Sequence, residues 1–432
     1  RVRVLLACAV LAAAQAGAAT VWVGPDGEDV TGCGTTSSAP CATIQFAADG
    51  AAPGDTVRVL PGTYKECVHV GRPVDLIADA IEQDPPSRTA TVIDGWGICG
   101  GLGCSGNPAV RCWDGAECAG TCSAGACSNH AATSCEGDAD CDFGDCAPLE
   151  VAGNPVVRLI SGSSLTGFTV TGGGYSGVYA EGTVRIAENV FAENRGWVGG
   201  GIYAYVNAGG EFVLAASSNR CFADVALSCA EIADCQVCES DHATTCESAE
   251  DCGGSDCVYL GPCLAVAEAV LDDNVVRDNA AERFGGGIFA FAEAPYETGG
   301  ARVVATGNTV AGNVASDGYG GGIFVQSRAI RGTTEALVES NVVEDNEAVY
   351  AGSELGHGGG IGAMSLAWDF GGRSSVLITE NTIEGNAAGY MGGGIRAEGG
   401  AFYAYPWSFF YTYGTDTTRV SRNAVTGNAA YD

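Results

Sequence analysis

The sequence predicts an all-β protein, a right-handed parallel β-helix (a solenoid) with two disulfide-rich inserted loops. Three observations lead to this fold class: a motif that recurs every 33 to 42 residues, short β-rich runs separated by Gly and Asn, and two clusters of cysteines. Short strands between turn residues are typical of the coils of a solenoid. The repeats lack the spacing of apolar residues that an amphipathic helix requires.

The repeated unit is Asn-x-apolar-x-x-Asn, followed by a variable loop and then Gly-Gly-Gly-Ile. Copies of the Asn pair begin at Asn189, Asn274, Asn308, Asn341, Asn381 and Asn423. Equivalent positions of successive coils lie about 4.8 Å apart, so we expect the repeated Ile and Val to form a continuous apolar core. We expect each Asn to occupy a turn, where it tolerates left-handed backbone angles and hydrogen-bonds to the next coil.

The first residues have the pattern of a secretory signal peptide. Arg1 and Arg3 precede an apolar stretch over 4–14, and small residues suited to cleavage follow. The 21 cysteines of the chain agree with export, because disulfides persist in oxidising compartments. We therefore predict a secreted protein, extracellular or at the cell surface, with no membrane span in this sequence.

The chain is strongly acidic, with 52 acidic and 20 basic residues and a net charge of −32. Such a surface repels nucleic acid and anionic membranes, so we predict no nucleic-acid partner. It also repels acidic polysaccharides unless bound cations intervene.

The predicted parts of the chain alternate between coils and inserts. They are a signal peptide at 1–19, an N-terminal cap and first coils at 20–98, a cysteine-rich insert at 99–147, coils at 148–220, a second insert at 221–263 and coils at 264–432. No Gly-Gly-Gly-Ile follows the last Asn pair, so we expect the solenoid to be incomplete at its C-terminus.

The N-terminal part carries a resemblance to a known group. Ala-Thr-Ile-Gln at 42–45, Pro-Gly-Asp-Thr-Val at 53–57, Pro-Gly-Thr-Tyr at 61–64 and Thr-Val-Ile-Asp-Gly at 91–95 follow one another. This order resembles the opening coils of pectin-lyase-like right-handed β-helix proteins. The resemblance implies the fold and leaves the activity open, because that group includes lyases, hydrolases, esterases, adhesins and inert surface proteins.

Cysteines recur in four short units inside the two inserts. The units contain Cys112, Cys118 and Cys122, then Cys135, Cys141 and Cys146, then Cys229, Cys235 and Cys238, and finally Cys246, Cys252 and Cys257. We favour structural disulfides in small segments that lack a core of their own.

Two metal sites are alternatives to this interpretation. Cys235 and Cys238, with His242 and Cys246, could bind zinc as four ligands. Asp138, Asp140 and Asp142 alternate as in a calcium loop, although the glycine after them comes one position late. We predict that no cofactor is required, with calcium as the alternative.

Three residues are candidates for catalysis. His357 lies in Gly-His-Gly and Asp272 precedes Asp273, as in the polygalacturonases of this fold, where paired aspartates serve as acid and base. The repeats place His357 in a variable row, because other residues stand before Gly-Gly-Gly-Ile in the other copies: Val198, Phe284, Tyr319 and Met391. The Arg-x-Lys of those hydrolases is absent, since Lys65 is the only lysine. A lyase needs a basic residue, for which the sequence offers Arg373, Arg396 and Arg419.

Aromatic residues occur in two settings. Tyr203, Phe289 and Phe324 each follow a repeat isoleucine, and we favour their packing in an internal stack over an exposed sugar-binding stripe. The segment 402–413 is a long aromatic loop that we predict to bind a ligand. Its candidate contacts are Tyr403, Tyr405, Trp407, Phe410 and Tyr411.

Two functions fit these features. The first is a non-catalytic secreted or cell-surface scaffold for adhesion, or for binding carbohydrate or a cell-surface protein. The alternative is a polysaccharide lyase or glycoside hydrolase of the pectin-lyase-like group. A groove with several carboxylates and a basic residue would favour the enzyme, and an ungrooved face would favour the scaffold.

Overall fold

The computed structural model describes residues 18–99, 154–208, 263–295, 299–349, 356–368, 372–402 and 415–431, together with short strands inside the two cysteine-rich segments. In these residues the chain winds as a right-handed parallel β-helix, and full coils contribute one strand to each of four parallel sheets. We number the sheets in the order in which a full coil visits them.

Sheets 1 and 2 run the length of the described solenoid. The parallel strands of sheet 1 are Thr20–Val23, Thr56–Val59, Asp75–Ala78, Ser163–Thr166, Val184–Ala187, Cys263–Asp272, Gly300–Thr306, Thr333–Glu339, Arg373–Thr379 and Thr415–Ser421. The strands of sheet 2 are Gly62–Tyr64, Thr91–Asp94, Thr169–Thr171, Val190–Ala192, Val275–Arg277, Thr309–Ala311, Val342–Glu344, Thr382–Glu384 and Ala424–Thr426.

Sheets 3 and 4 complete each coil. The strands of sheet 3 are Arg195–Val198, Ala280–Phe284, Val314–Ala315, Glu347–Ala348, Ala387–Ala388 and Ala429–Ala430. The strands of sheet 4 are Val68–His69, Val157–Leu159, Val178–Glu181, Ile202–Asn207, Ile288–Ala294, Ile323–Ala329, Ile361–Trp368 and Ile395–Phe402.

The cysteine-rich segments contain short antiparallel strands. Those of the first segment are Leu102–Cys104, Asn107–Arg111, Cys122–Ser123, Ala126–Cys127, His130–Ser134 and Cys146–Pro148. Those of the second are Ser218–Cys221, Asp224–Cys229, Gln236–Cys238, Asp241–Thr245 and Cys257–Tyr259. Ser218–Cys221 joins sheet 1 by pairing antiparallel with the first residues of the interior strand Cys263–Asp272, ahead of the part that pairs with Val184–Ala187.

Register between coils follows the sequence repeat. The isoleucines of Gly-Gly-Gly-Ile lie side by side on sheet 4, as Ile202, Ile288, Ile323, Ile361 and Ile395. The first four are completely buried in one continuous core. Full burial of one such side chain contributes about 1.5–3 kcal/mol, so an Ile at this position of every coil holds neighbouring coils in one register.

The paired asparagines form two buried ladders. One ladder lies between sheets 1 and 2, and the other lies between sheets 2 and 3. Asn274 shows the pattern in the first ladder: its backbone N–H and its Nδ2 both donate to Oδ1 of Asn308, at 3.0 Å each. Its Nδ2 also donates to the Ile186 carbonyl of the preceding coil, so each amide links three coils.

The left-handed backbone of these corners belongs to the residue before each asparagine. Asp273 has φ 52° and Gly307 has φ 65°, and each directly precedes an Asn of the first ladder. None of the described asparagines has a positive φ, contrary to the sequence-based expectation. The Asn side chain instead turns inward to bond the coils, and its neighbour makes the corner.

A short helix, Ile44–Gly50 (α1), packs against the first coils. Thr43 caps it by accepting from the Phe46 backbone N–H, and the Glu66 carboxylate accepts from the N–H groups of Ile44 and Gln45. Its buried residue Ile44 lies in the solenoid core. A 3₁₀ turn, Asp79–Glu82, follows the third strand of sheet 1. No helix among the described residues has the length and apolar character needed to cross a membrane.

Two disulfides stabilise the N-terminal coils, Cys33–Cys41 and Cys67–Cys99. Cys99 opens the predicted first insert, yet its side chain is completely buried in the solenoid core. The solenoid itself therefore contains disulfides, in keeping with the oxidising compartment that the cysteine content indicates.

Candidate functional site

The outer face of sheet 4 carries the site that the geometry favours. Side chains alternate along each strand, so Ile202 points into the core and Tyr203 points out. We call the outward row that contains Tyr203 the first outer row. Its members, from the N-terminal coil onward, are His69, Arg158, Tyr179, Tyr203, Phe289, Phe324, Gly362 and Arg396.

The rings of this row stack from coil to coil. Ring centroids are 5.0 Å apart between Tyr179 and Tyr203, 5.1 Å between Tyr203 and Phe289, and 5.7 Å between Phe289 and Phe324. The predicted stack is present, but it lies outside the core of the coils. Its phenylalanines are buried, and its tyrosines are half-buried.

A row of residues in front of the Gly-Gly-Gly segments covers the phenylalanine end. Isolated β-bridges join Phe284, Tyr319, His357 and Met391 in successive coils. The Phe284 ring stacks on Phe324 at 5.0 Å, and the Tyr319 ring lies 5.7 Å from it. This part of the face is a small second core with a packing role.

The tyrosine end of the row borders an open cleft of about 490 Å³. The cleft is lined by Cys67, Val68, His69, Asn154, Pro155, Arg158, Tyr175 and Tyr179. The Tyr175 ring lies 6.4 Å from Tyr179 and 6.5 Å from Tyr203, and the Arg158 guanidinium lies over the Tyr179 ring at 5.5 Å. Two tyrosines of one coil, Tyr175 and Tyr179, thus line the concave surface, and Tyr203 of the next coil packs against both.

A polar network lies beside the rings. The Tyr205 hydroxyl donates to Glu293 Oε2 at 2.7 Å and accepts from Asn207 Nδ2 at 2.7 Å. Arg328 pairs with Glu293 and lies over the Phe291 ring at 5.3 Å. These bonds hold side chains of three successive coils in fixed positions along the face.

The tyrosines of the face remain protonated at neutral pH. Burial raises the pKa of Tyr179 to about 12, and Glu181 raises it further than Arg158 lowers it. Burial also raises the pKa of Tyr205 to about 12, with the hydrogen bond to Glu293 as the next cause. The pKa of Tyr203 is raised too, chiefly by burial. Protonated phenols present apolar rings together with uncharged hydroxyls to a ligand, although the Tyr205 hydroxyl already donates its proton to Glu293.

The three catalytic candidates lie on separate parts of the coil. Asp272 is on the outer face of sheet 1, where its carboxylate pairs with Arg185 at 2.8 Å. Asp273 is exposed at the corner that follows. His357 is buried in the segment between sheets 3 and 4, just before the sheet 4 strand Ile361–Trp368. Its ring lies 4.8 Å from the Tyr319 ring and 5.1 Å from the Tyr390 ring. The described structure does not bring these residues together in one cleft.

The candidate arginines are also dispersed. Arg373 and Arg419 lie on strands of sheet 1. Arg396 closes the C-terminal end of the first outer row, where its guanidinium pairs with Glu398 at 2.6 Å. Among the described residues none of the three is placed beside the tyrosine cleft.

Several predicted sites lie outside the described side chains. They are the twelve insert cysteines, the zinc set that includes His242, the calcium candidates Asp138, Asp140 and Asp142, and the aromatic contacts Tyr403, Tyr405, Trp407, Phe410 and Tyr411. The aromatic segment connects the sheet 4 strand Ile395–Phe402 to the sheet 1 strand Thr415–Ser421.

One group of side chains in the described residues has the spacing of a metal site: Asp29, Cys33 and Cys41. Its two cysteines form a disulfide, and the Asp29 carboxylate accepts from the backbone of Ala42 and Thr43. These ligand atoms are therefore already engaged.

Sequence reasoning missed the cleft. The coils that contain Tyr175, Tyr179 and Arg158 have no Gly-Gly-Gly-Ile that aligns with the other copies. The motif therefore did not show how their strands pair. The signal was present in Gly-Val-Tyr-Ala-Glu at 177–181, which matches Gly-Ile-Tyr-Ala-Tyr at 201–205 position by position.

Comparisons with known proteins support no function directly. No protein-family model matches the sequence, and no curated protein matches it. Four solved chains match, among them the complex of XylC with xylose, at 11% identity and a TM-score of 0.39 over 90% of this chain and 72% of that one. YbhC of Escherichia coli matches at 12% identity and a TM-score of 0.29, over 94% of this chain and 85% of that one. The fold is established by the four sheets and their register.

Proposed function

We propose that this protein is a secreted or cell-surface β-helix scaffold that binds carbohydrate on the tyrosine end of sheet 4. The half-buried cluster of Tyr175, Tyr179 and Tyr203, of which the first two line the cleft, is the observation that carries the proposal. Sugar rings present apolar C–H faces and polar rims, and tyrosines offer a ring and a hydroxyl to match both.

The site is a binding surface of fixed shape. Tyr179 and Tyr203 sit on strands that are hydrogen-bonded to a neighbouring strand on each side, so little backbone ordering accompanies binding there. A preformed surface loses less conformational entropy when a ligand arrives. The proposal needs no metal or cofactor, and calcium remains an additive to test.

The test is isothermal titration of the purified chain with a panel of neutral oligosaccharides, with and without calcium. Tyr179→Ala and Tyr203→Ala should each weaken binding by roughly three- to tenfold, because an aromatic contact contributes about 0.5–1.5 kcal/mol. Tyr179→Phe keeps the ring and should retain most of the affinity.

Tyr431→Ala is the matched control, since that tyrosine is 60% exposed and lies outside the face. Equal binding by Tyr179→Ala and the unaltered chain would remove the cleft from consideration. New reducing or unsaturated ends in the same mixtures would replace the scaffold proposal with the alternative of a lyase or hydrolase.

A further inference from the structure

The cleft differs in charge from the rest of the chain. Two of its lining residues, Arg158 and His69, are basic, and no carboxylate is among the described residues that line it. The chain as a whole has a net charge of −32. A cationic arginine in a concavity of such an acidic surface favours an anionic group at that place.

The guanidinium of Arg158 can form further hydrogen bonds. Among the described residues its nearest carboxylate is Glu181, at 3.7 Å, beyond hydrogen-bond distance, and both side chains are close to half exposed. Its Nε is buried and has no hydrogen-bond partner in the described structure. The guanidinium lies over the Tyr179 ring, where its N–H groups can donate to the oxygens of a carboxylate or sulfate beside the ring.

The remainder of the face excludes a ligand that is charged along its length. The outer rows contain three carboxylates, Glu181, Glu293 and Glu398; Glu293 and Glu398 are closely paired with Arg328 and Arg396, which leaves no free cation beside them among the described residues. A polyanion lying along this face would meet those carboxylates and the field of the acidic chain. A ligand that fits this face therefore carries negative charge only at the end that lies in the cleft.

We propose that the cleft binds the single acidic end group of an otherwise neutral glycan, with the anion on Arg158 and the neutral sugars on Tyr179 and Tyr203. This inference rests on the proposed function, because it assigns the direction and the end group of the bound carbohydrate. Glu181 competes for Arg158 and limits the affinity.

The experiment uses neutral tetrasaccharides of the glucan, mannan, xylan and galactan types. Each is titrated as such, with one terminal carboxylate, with one terminal sulfate, and in a form carboxylated at every residue. We expect roughly tenfold tighter binding of one singly charged form than of its neutral parent, and the weakest binding for the fully carboxylated form. The carboxylate and sulfate arms identify which acid is recognised.

Variants separate the two proposals. Arg158→Gln should abolish the preference for the charged end, measured as the ratio of the affinities for the singly charged and the neutral chain. Glu181→Gln should strengthen binding of the charged form by a few-fold, since it frees Arg158. Arg277→Gln, a half-exposed arginine on sheet 2, is the control of equal charge and should behave as the unaltered chain.

Equal affinity for neutral and singly charged chains would overturn the inference and leave the proposed function intact. Tightest binding of the fully carboxylated chain would also overturn it. Failure of every neutral and singly charged chain to bind would defeat the proposed function itself.

Discussion

Removal of one asparagine from a ladder should destabilise the solenoid far more than its size suggests. Asn313 is completely buried, and its Oδ1 accepts from the backbone N–H and the Nδ2 of Asn279, at 3.0 and 2.9 Å. Its Nδ2 donates to the Val276 carbonyl and to Oδ1 of Asn346, both at 2.9 Å. The substitution Asn313→Ala removes all of these bonds and leaves the buried Asn279 N–H without an acceptor.

The expected cost follows from these bonds. An orphaned buried donor costs about 1–3 kcal/mol, and the remaining side-chain hydrogen bonds contribute about 1 kcal/mol each. We therefore expect Asn313→Ala to lower the local free energy of opening by about 4 kcal/mol. Amide exchange of the peptides that contain Asn279 and Asn313 should accelerate by close to three orders of magnitude when exchange reports the opening equilibrium.

Hydrogen exchange is the suitable assay, because a solenoid opens coil by coil and a single unfolding midpoint averages over coils. Thr309→Ala, a half-buried outward position on sheet 2 of the same coil, is the control and should change the free energy by less than about 1 kcal/mol. A loss of under about 1 kcal/mol for Asn313→Ala would refute the view that the ladder holds the coils together.

Three further results are expected. Gly362→Ala should lower the thermal midpoint, since a Cβ there would lie 2.8 Å from the Phe324 ring, whereas Gly71→Ala, with open space around it, should not. The folded state should lose stability as pH rises from about 10, the ordinary tyrosine pKa, to about 12. Because the pKa of Tyr179 is raised, the native state keeps a proton in this pH range that the unfolded chain has released. Tyr179→Phe should therefore weaken the pH dependence of the free energy of unfolding, measured by urea titration at each pH. Thiol titration of the denatured, unreduced protein should find almost no free cysteine; many free thiols with bound zinc would favour the metal interpretation of the inserts.

The solenoid could be predicted because its stabilising residues repeat in the sequence. A buried Asn or Ile recurs at a spacing that shows directly which residues stack, and the structure pairs them as expected. The left-handed backbone angle was assigned to the Asn itself, whereas the residue before it adopts that angle even where it is Glu188, Glu380 or Arg422, residue types without a preference for turns. Only the bonds show that the Asn side chain serves the ladder while Asp273 or Gly307 bends the chain.

The cleft could not be predicted in the same way. It is formed by Tyr175, Tyr179 and Arg158, which come from coils where the ladder has not yet begun: Phe168 and Gly173 occupy the places of the paired Asn and donate only through their backbones. Without a motif the register of these coils is undetermined, and so is the face on which each side chain lies. The aromatic row could be recognised in the sequence. Which of its two ends is open to solvent could not, because that depends on Phe284 and Tyr319, which cover the phenylalanine end.

The turn from sheet 4 to sheet 1 has a consequence for how such proteins vary. Three residues suffice to connect Ala329 to Thr333, while the same turn of an earlier coil, after Asn207, carries an entire cysteine-rich segment before sheet 1 resumes. Strands on both sides keep their register in each case, because the ladders and the core fix it independently of the connection. This turn therefore accepts long insertions. Evolution or protein design could exchange a whole peptide there, such as an epitope or a binding loop, without changing the solenoid that carries it.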